Sequence, residues 1–295
     1  MNAQKQYPER YEGKLSNLVK YPLGSARLYS FKMCYTIRQN ISFSKNGILR
    51  ILRGLKWLIL RRRLPPISVD SKFVLTVGMS KNEYDLMGER EHVLYDANST
   101  FKVDCCGVLV PMGFRDYRNY ISMAIAARVP EPYGLFLDFG SGNGFNAKAL
   151  SVEFPNANII GIDISRSRIE YAKKWIGQSD NIDFLQMNAA CLAFPENYFD
   201  FVYSCHALEQ MESIIDKAVS EIIRVMKYRA VLIEPVQENA SLPQRLYLRR
   251  YNYVQSLLRT IKEQRQYIKI VEIFPLGIQG NPLNQSSLIV LEKIV

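Results

Sequence analysis

The sequence predicts an α/β domain, a doubly wound sheet with helices on both faces, preceded by a basic helical extension. Three observations lead there. From Arg115 onward short apolar runs alternate with stretches of helical periodicity, and such alternation requires a parallel sheet covered on both sides. A glycine-rich segment, Phe139-Gly140-Ser141-Gly142-Asn143-Gly144, lies between a strand pattern and a helix pattern. An acidic residue, Asp163, closes the next strand, 23 residues after Gly140.

The elements follow in order. Residues 115–129 read as a helix, 135–139 as a buried strand and 145–154 as a helix. Residues 158–163 form a second strand, and Ser165 can cap a helix whose Ile169, Ala172, Trp175 and Ile176 share one face. Residues 182–186 and 199–204 give two further strands. Ser213, with Asp216 three residues later, reads as a capping box opening a helix over 214–226. A fifth strand spans 230–234, one long helix 243–263, and the last two strands 269–274 and 287–291. No helix separates those two, so the seventh strand is expected to run antiparallel in an otherwise parallel, Rossmann-like sheet.

Composition sets the limits. Of 295 residues 48% are hydrophobic and 12% aromatic, enough for a core, which argues against general disorder. The net charge of +10 is uneven: Gly13 to Val69 holds twelve Lys or Arg and no acid, while residues 70–295 carry 24 basic and 26 acidic side chains. The chain therefore divides into a basic extension over 1–69, an irregular or hairpin-like connection over 70–114, and a domain over 115–295. The extension contains Ile48, Ile51, Leu52, Leu55, Leu58 and Ile59 on one helical face, with Arg50, Arg53 and Arg61 opposite. Seven positive charges between Lys45 and Arg63 suit an anionic membrane surface, each contributing up to ~1 kcal/mol; a helix docked on the domain with solvated charges is the competing reading.

Five cysteines without CxxC spacing and two histidines, His92 and His206, make a zinc site or disulfide framework improbable and fit a reducing compartment. The start lacks a signal-peptide core, and the longest uncharged run, residues 273–291, contains two prolines and several amides, unlike a membrane span. The expected location is cytoplasmic, either free or peripheral at the inner face of a membrane.

Glycines after a strand let the backbone turn sharply and approach a ligand, and a carboxylate at the end of the next strand can hold ribose hydroxyls. A dinucleotide-binding dehydrogenase would need its third glycine at position 145, where this chain has Phe145, and Phe145 would crowd a pyrophosphate at the helix N-terminus. A scaffold of this fold without a ligand is the other alternative.

From Pro132 to Val295 the chain resembles the class I S-adenosylmethionine-dependent methyltransferases, most nearly their quinone- and small-molecule-modifying branch. The spaced matches are the glycine loop with its third glycine at 144, Ile160-Gly161-Ile162-Asp163-Ile164-Ser165, Asn188-Ala189-Ala190-Cys191-Leu192-Ala193-Phe194-Pro195, Phe199-Asp200-Phe201-Val202, and Glu221 to Lys227. The resemblance implies a cofactor, S-adenosylmethionine, with Asp138 orienting its methionine end and Gly140, Gly142 and Gly144 forming the loop. It implies Asp163 on the ribose hydroxyls and Ile164, Asn188 and Ala189 beside the adenine. Many relatives carry Asp where this chain has Asn188, whose amide oxygen can still accept a hydrogen bond. The family's usual Lys-Pro-Gly-Gly turn is replaced by Lys227-Tyr228-Arg229-Ala230.

The implied activity is methyl transfer to a small-molecule or lipid-like acceptor, by direct displacement needing no metal. His206, at the carboxyl edge of the fourth strand, is the candidate base or substrate contact; packing under the cofactor is its alternative role. Glu209 and Glu234 are weaker candidates for the same duty, and Tyr247, Tyr251 and Tyr253 stand where relatives cover their substrate. The rival functions are a nucleic-acid (RNA) methyltransferase using the basic arm, and a non-catalytic binding subunit built on the cofactor fold.

Overall fold

The computed structural model describes residues 90–294. The basic extension, its amphipathic segment and the first part of the connecting region lie outside the described residues. A helical segment over 90–96 leads into a hairpin of β1 (Thr100–Cys105) and β2 (Val108–Gly113). The hairpin turn places Cys106 and Gly107 at φ 53° and 91°, the pair of positive values that a two-residue turn needs to match strand twist. Cys106 is disulfide-bonded, while Cys105, Cys191 and Cys205 are free. The lack of CxxC spacing therefore did not exclude a bridge.

The main sheet uses β3 (Leu135–Phe139), β4 (Asn158–Asp163), β5 (Ile182–Gln186), β6 (Phe199–Cys205), β7 (Met226–Pro235), β8 (Ile268–Pro275) and β10 (Ser286–Lys293). Their order is β5-β4-β3-β6-β7-β10-β8, and β10 runs antiparallel to both neighbours. The two-residue β9 (Ile278–Gln279) pairs instead with β1, joining the hairpin to the β8–β10 connection. The order in which strands are added reverses between the parallel neighbours β3 and β6, the switch point beyond whose carboxyl ends such sheets bind ligands in a crevice.

Each face has its own core. Helices α1 (Phe114–Ala126), α2 (Phe145–Glu153) and α3 (Arg166–Ile176) cover one face, where Ile121, Ile125, Phe136, Leu150, Phe201 and Tyr203 are buried together. Helices α4 (Ile215–Val225) and α6 (Leu257–Glu263) cover the other, over Leu137, Phe139, Val202 and Leu232. Ser165 caps α3 as expected, accepting the Arg168 N–H at 3.2 Å.

Three local expectations are corrected. The single helix over 243–263 is two, α5 (Leu242–Arg250) and α6, separated by a turn in which Asn252 has φ 49°. The Glu212 carboxylate accepts the N–H groups of Gln255 (2.8 Å) and Ser256 (3.3 Å), a tertiary capture that ends one helix and starts the next. Ser213 lies inside a 3-10 turn over Glu212–Ile214 and caps nothing, and Asp216 accepts the Thr260 hydroxyl at 2.7 Å instead. Met226 begins β7 directly after α4, with a register shift against β6 between Phe199 and Phe201. The residues that replace the expected turn are thus strand, and Arg229 is tied to the Arg128 carbonyl and Glu292.

The glycine loop depends on two close approaches. A Cβ on Gly140 (φ 74°) would meet Ala207 Cβ at 2.3 Å, and one on Gly144 (φ 77°) would meet Phe184 at 2.7 Å. Gly144 therefore also serves the packing of α2 against β5. Gly177 is also left-handed (φ 73°) but has nothing within 4 Å. Gly177→Ala should cost only the backbone term, about 1 kcal/mol. Gly140→Ala should lose roughly 1–3 kcal/mol more through overpacking. Urea denaturation compares the two, and equal losses would remove the Ala207 contact as the reason for glycine at 140.

Candidate functional site

The crevice between β3 and β6 collects buried polar groups. Asp138, at the end of β3, is 1% exposed, and its Oδ2 has no hydrogen-bond partner. The Ser141 Oγ on the glycine loop is likewise buried without one, and the Tyr203 hydroxyl on β6 lies against the Asp138 carboxyl. Burial raises the Asp138 pKa to about 7, against the opposing influence of the Arg118 guanidinium and Tyr203 and with added repulsion from Asp163. Unpartnered buried polar atoms are rare and costly in folded proteins, so their concentration beside a glycine loop points to a ligand.

Asp163 shapes that loop. Its Oδ2 accepts the Gly142 N–H at 3.0 Å and its Oδ1 the Ser165 N–H at 2.8 Å, tying the loop to the start of α3. A carboxylate has about four acceptor positions, so the ribose role given by the resemblance is compatible with both backbone bonds. Next to it Ile164 is 58% exposed, an apolar surface for a ring. Asn188 is exposed and its Oδ1 accepts the Ala190 N–H at 2.9 Å, while Ala189 is buried. Gly140, Gly142 and Gly144, all at positive φ, complete the set. Asp138, the loop, Asp163 and Ile164 thus adjoin one another along the carboxyl ends of β3 and β4, with Asn188 and Ala189 in the loop that follows β5.

His206 follows β6 with φ 56°, a conformation that costs a non-glycine residue and persists only where its surroundings impose it. Its Nδ1 lies 3.1 Å from Glu209 Oε2 and its Nε2 3.3 Å from the Ser286 Oγ. Burial alone would lower its pKa, but Glu209, by charge and hydrogen bond, and Glu234 outweigh that and raise it. Glu234 proves structural: its carboxyl accepts the Ser204 hydroxyl and the N–H groups of Ala207, Leu208 and Glu209 at 2.9–3.1 Å. The Cys205 thiol is pushed up to about 12, chiefly by burial, which removes it as a nucleophile. Tyr247, Tyr251 and Tyr253 pack on one another and on Leu283 rather than on the sheet.

Two features were not read from the sequence. The segment 90–96 lies across the glycine loop: Glu91 Oε2 accepts from Asn143 Nδ2 at 2.9 Å and from Arg168 at 3.3 Å. Tyr95 stacks on Phe145 at 4.5 Å, and His92 sits among Phe145, Tyr171 and Trp175. Arg115 holds the segment by donating to the Tyr95 and Asp96 carbonyls. The second feature is Arg118 on α1, whose guanidinium lies 5.5 Å from the Phe145 ring centre. Helical periodicity places Arg118 on α1, but only the docking of α1 against α2 turns it toward the crevice.

The fold and the crevice define a doubly wound domain built to hold a nucleoside-type ligand at its switch point. Residues 137–233 match the family model described as a methyltransferase domain, and this part of the chain is a class I S-adenosylmethionine-dependent methyltransferase domain. The chain is 33% identical over 133 residues to a sterol 24-C-methyltransferase of Pneumocystis carinii, covering 42% of this chain and 34% of that protein. It is 32% identical over 120 residues to a ubiquinone/menaquinone biosynthesis C-methyltransferase of Francisella tularensis, covering 39% and 48%. The chain thus spans less than half the length of these curated relatives. In fold it is similar to a geranyl diphosphate C-methyltransferase of Streptomyces coelicolor, with a TM-score of 0.52, 12% identity, and coverage of 62% of this chain and 80% of the other.

The buried acids carry a pH dependence. Asp138 and Glu234 both titrate near 7 in the fold, above the ordinary carboxylate range. Between about pH 4 and 7 the folded chain therefore binds more protons than the unfolded one, and stability falls as pH rises. The raised His206 pKa acts in the same sense, its contribution being lost as pH rises through the folded value. Asp138→Asn should flatten this fall by up to ~1.4 kcal/mol per pH unit. Urea midpoints at pH 5 and 7.5 measure it, and an unchanged slope in the variant would show that Asp138 stays ionised in the fold.

Proposed function

We propose that this protein transfers the methyl group of S-adenosylmethionine to a small, lipid-like acceptor. The observation that carries the reading is the sheet's switch point, where Asp138 Oδ2 and the Ser141 Oγ lie buried without hydrogen-bond partners, beside and within a left-handed glycine loop braced by Asp163. When bound, the cofactor supplies an electrophilic methyl group and a neutral thioether leaving group. Asp138 draws the ammonium of its methionine end, and the Asp163 carboxylate takes the ribose hydroxyls. Ile164, Ala189 and the Asn188 oxygen flank the base.

The main task left to the protein is alignment, an orientation effect that reaches roughly 7–11 kcal/mol in favourable systems. Where the acceptor must lose a proton, His206 is placed to take it: Glu209 fixes Nδ1, and Nε2 exchanges its long Ser286 contact for the acceptor. The acceptor class follows the relatives named for sterol and for ubiquinone and menaquinone, both C-methyltransferases; no relative described above is named for a nucleic acid. Asp163→Ala should weaken S-adenosylhomocysteine binding roughly ten- to hundredfold in calorimetry, as loss of charge-assisted bonds requires. Unchanged affinity in the folded variant removes Asp163 from the site, and no binding by the unaltered protein overturns the reading.

The basic segment from Lys45 to Arg63 is proposed to bring the enzyme to an anionic membrane surface where such an acceptor resides. Its seven positive charges and apolar face support this. The full-length protein should sediment with anionic vesicles at low salt and not with neutral ones, and a variant lacking residues 1–66 should stay in solution. Full-length protein remaining in the supernatant would end the proposal.

A further inference from the structure

We infer that Arg118 binds the carboxylate of the cofactor's amino-acid end, so that the crevice reads a zwitterion with Asp138 at one charge and Arg118 at the other. The inference rests on the cofactor reading above. Helix α1 docks on α2 through Ser122, whose hydroxyl donates to Asn146 Oδ1 at 3.1 Å. Arg118 lies one turn earlier on the same face, which carries its side chain over the N-terminal end of α2. There the guanidinium stacks on Phe145 at 5.5 Å, an aromatic contact that orients the plane without neutralising the charge.

The charge has no counterion in the described structure. The Arg118 Nε is buried without a partner, and among the described residues no carboxylate lies within ion-pair distance of the guanidinium. The neighbouring arginines are different: Arg128 is paired with Glu272, Arg168 with Glu91 and Arg229 with Glu292. Asp138 is close enough to feel the guanidinium, yet its Oδ2 is unpartnered too. Two opposite charges left apart across one crevice leave room for a ligand carrying both. An α-amino acid does so on a single carbon: its ammonium meets Asp138 and its carboxylate takes the planar fork of Arg118 in two parallel hydrogen bonds.

The test uses two ligands that share the adenosine thioether and differ in the amino-acid end, S-adenosylhomocysteine and 5′-methylthioadenosine. Calorimetry on the full-length protein should show Arg118→Met weakening S-adenosylhomocysteine roughly ten- to hundredfold while 5′-methylthioadenosine binds as before. Arg118→Lys should recover part of the loss, and the ligand-free Arg118→Met protein should melt no lower than wild type, having lost an unpaired charge. Unchanged S-adenosylhomocysteine affinity, or equal loss for both ligands with a lowered melting temperature, overturns the inference and leaves the cofactor reading intact. Wild-type protein that binds neither ligand overturns the cofactor reading itself.

Discussion

The site depends on one buried carboxylate. Asp163 accepts an N–H from Gly142 and another from Ser165, and so fixes the glycine loop against the start of α3. Without it the buried Ser165 N–H would be unpaired, at a cost of about 1–3 kcal/mol, and the part-buried Gly142 N–H would lose its partner. The left-handed residues at 140, 142 and 144 would then rely on the Ala207 and Phe184 contacts alone to select one loop geometry. The acid at the end of β4 is therefore structural whatever it binds, and in the proposed function a ribose would meet a carboxylate already oriented by the backbone. Ser141 reinforces the arrangement by donating its N–H to the Ile162 carbonyl at 2.7 Å.

Glu234 plays the equivalent part on the other side of the crevice. Four donors from residues 204–209 converge on its two oxygens, which sets the turn that presents His206 and Glu209. The geometry explains why His206 holds a positive φ: its N–H is spent on the Ile233 carbonyl at 3.0 Å and its ring is held from both sides. Carboxylates at the ends of strands thus organise both walls, one for the cofactor loop and one for the acceptor side.

The sheet was legible because buried strands write themselves as short apolar runs, and 135–139, 158–163 and 182–186 appear where the pattern put them. The antiparallel last strand followed from the absence of a connecting helix. What failed was set by side chains distant in sequence. Periodicity over 243–263 carries no trace of Glu212, which breaks that helix from 43 residues away. The match of Ser213 to Asp216 looked like a cap because spacing alone cannot say that Thr260 claims the aspartate. Gly144 was legible as a glycine that matters, but its reason, the ring of Phe184, belongs to the packing of another strand. Arg118 was hidden in the same way, since a helix pattern gives a face and not the neighbour that face meets.

These placements make the crevice a line of alternating charge. Asp138 stands on β3 and the His206–Glu209 pair after β6, and Arg118 on α1 acts electrostatically on both Asp138 and His206. With the guanidinium unpaired, it holds the Asp138 carboxyl down and the His206 imidazolium down at once. A ligand carboxylate that neutralises Arg118 removes both influences, and a ligand ammonium beside Asp138 replaces the first of them. With the amino-acid end bound as inferred above, the Asp138 carboxylate would lie against the ammonium and the influence of Arg118 on His206 would be lifted. On the inference drawn for Arg118, the charge that would fix one end of the cofactor also acts on the histidine proposed to meet the acceptor, within a buried, low-dielectric site. That coupling needs no motion of the fold, only the order in which the strands reach the switch point.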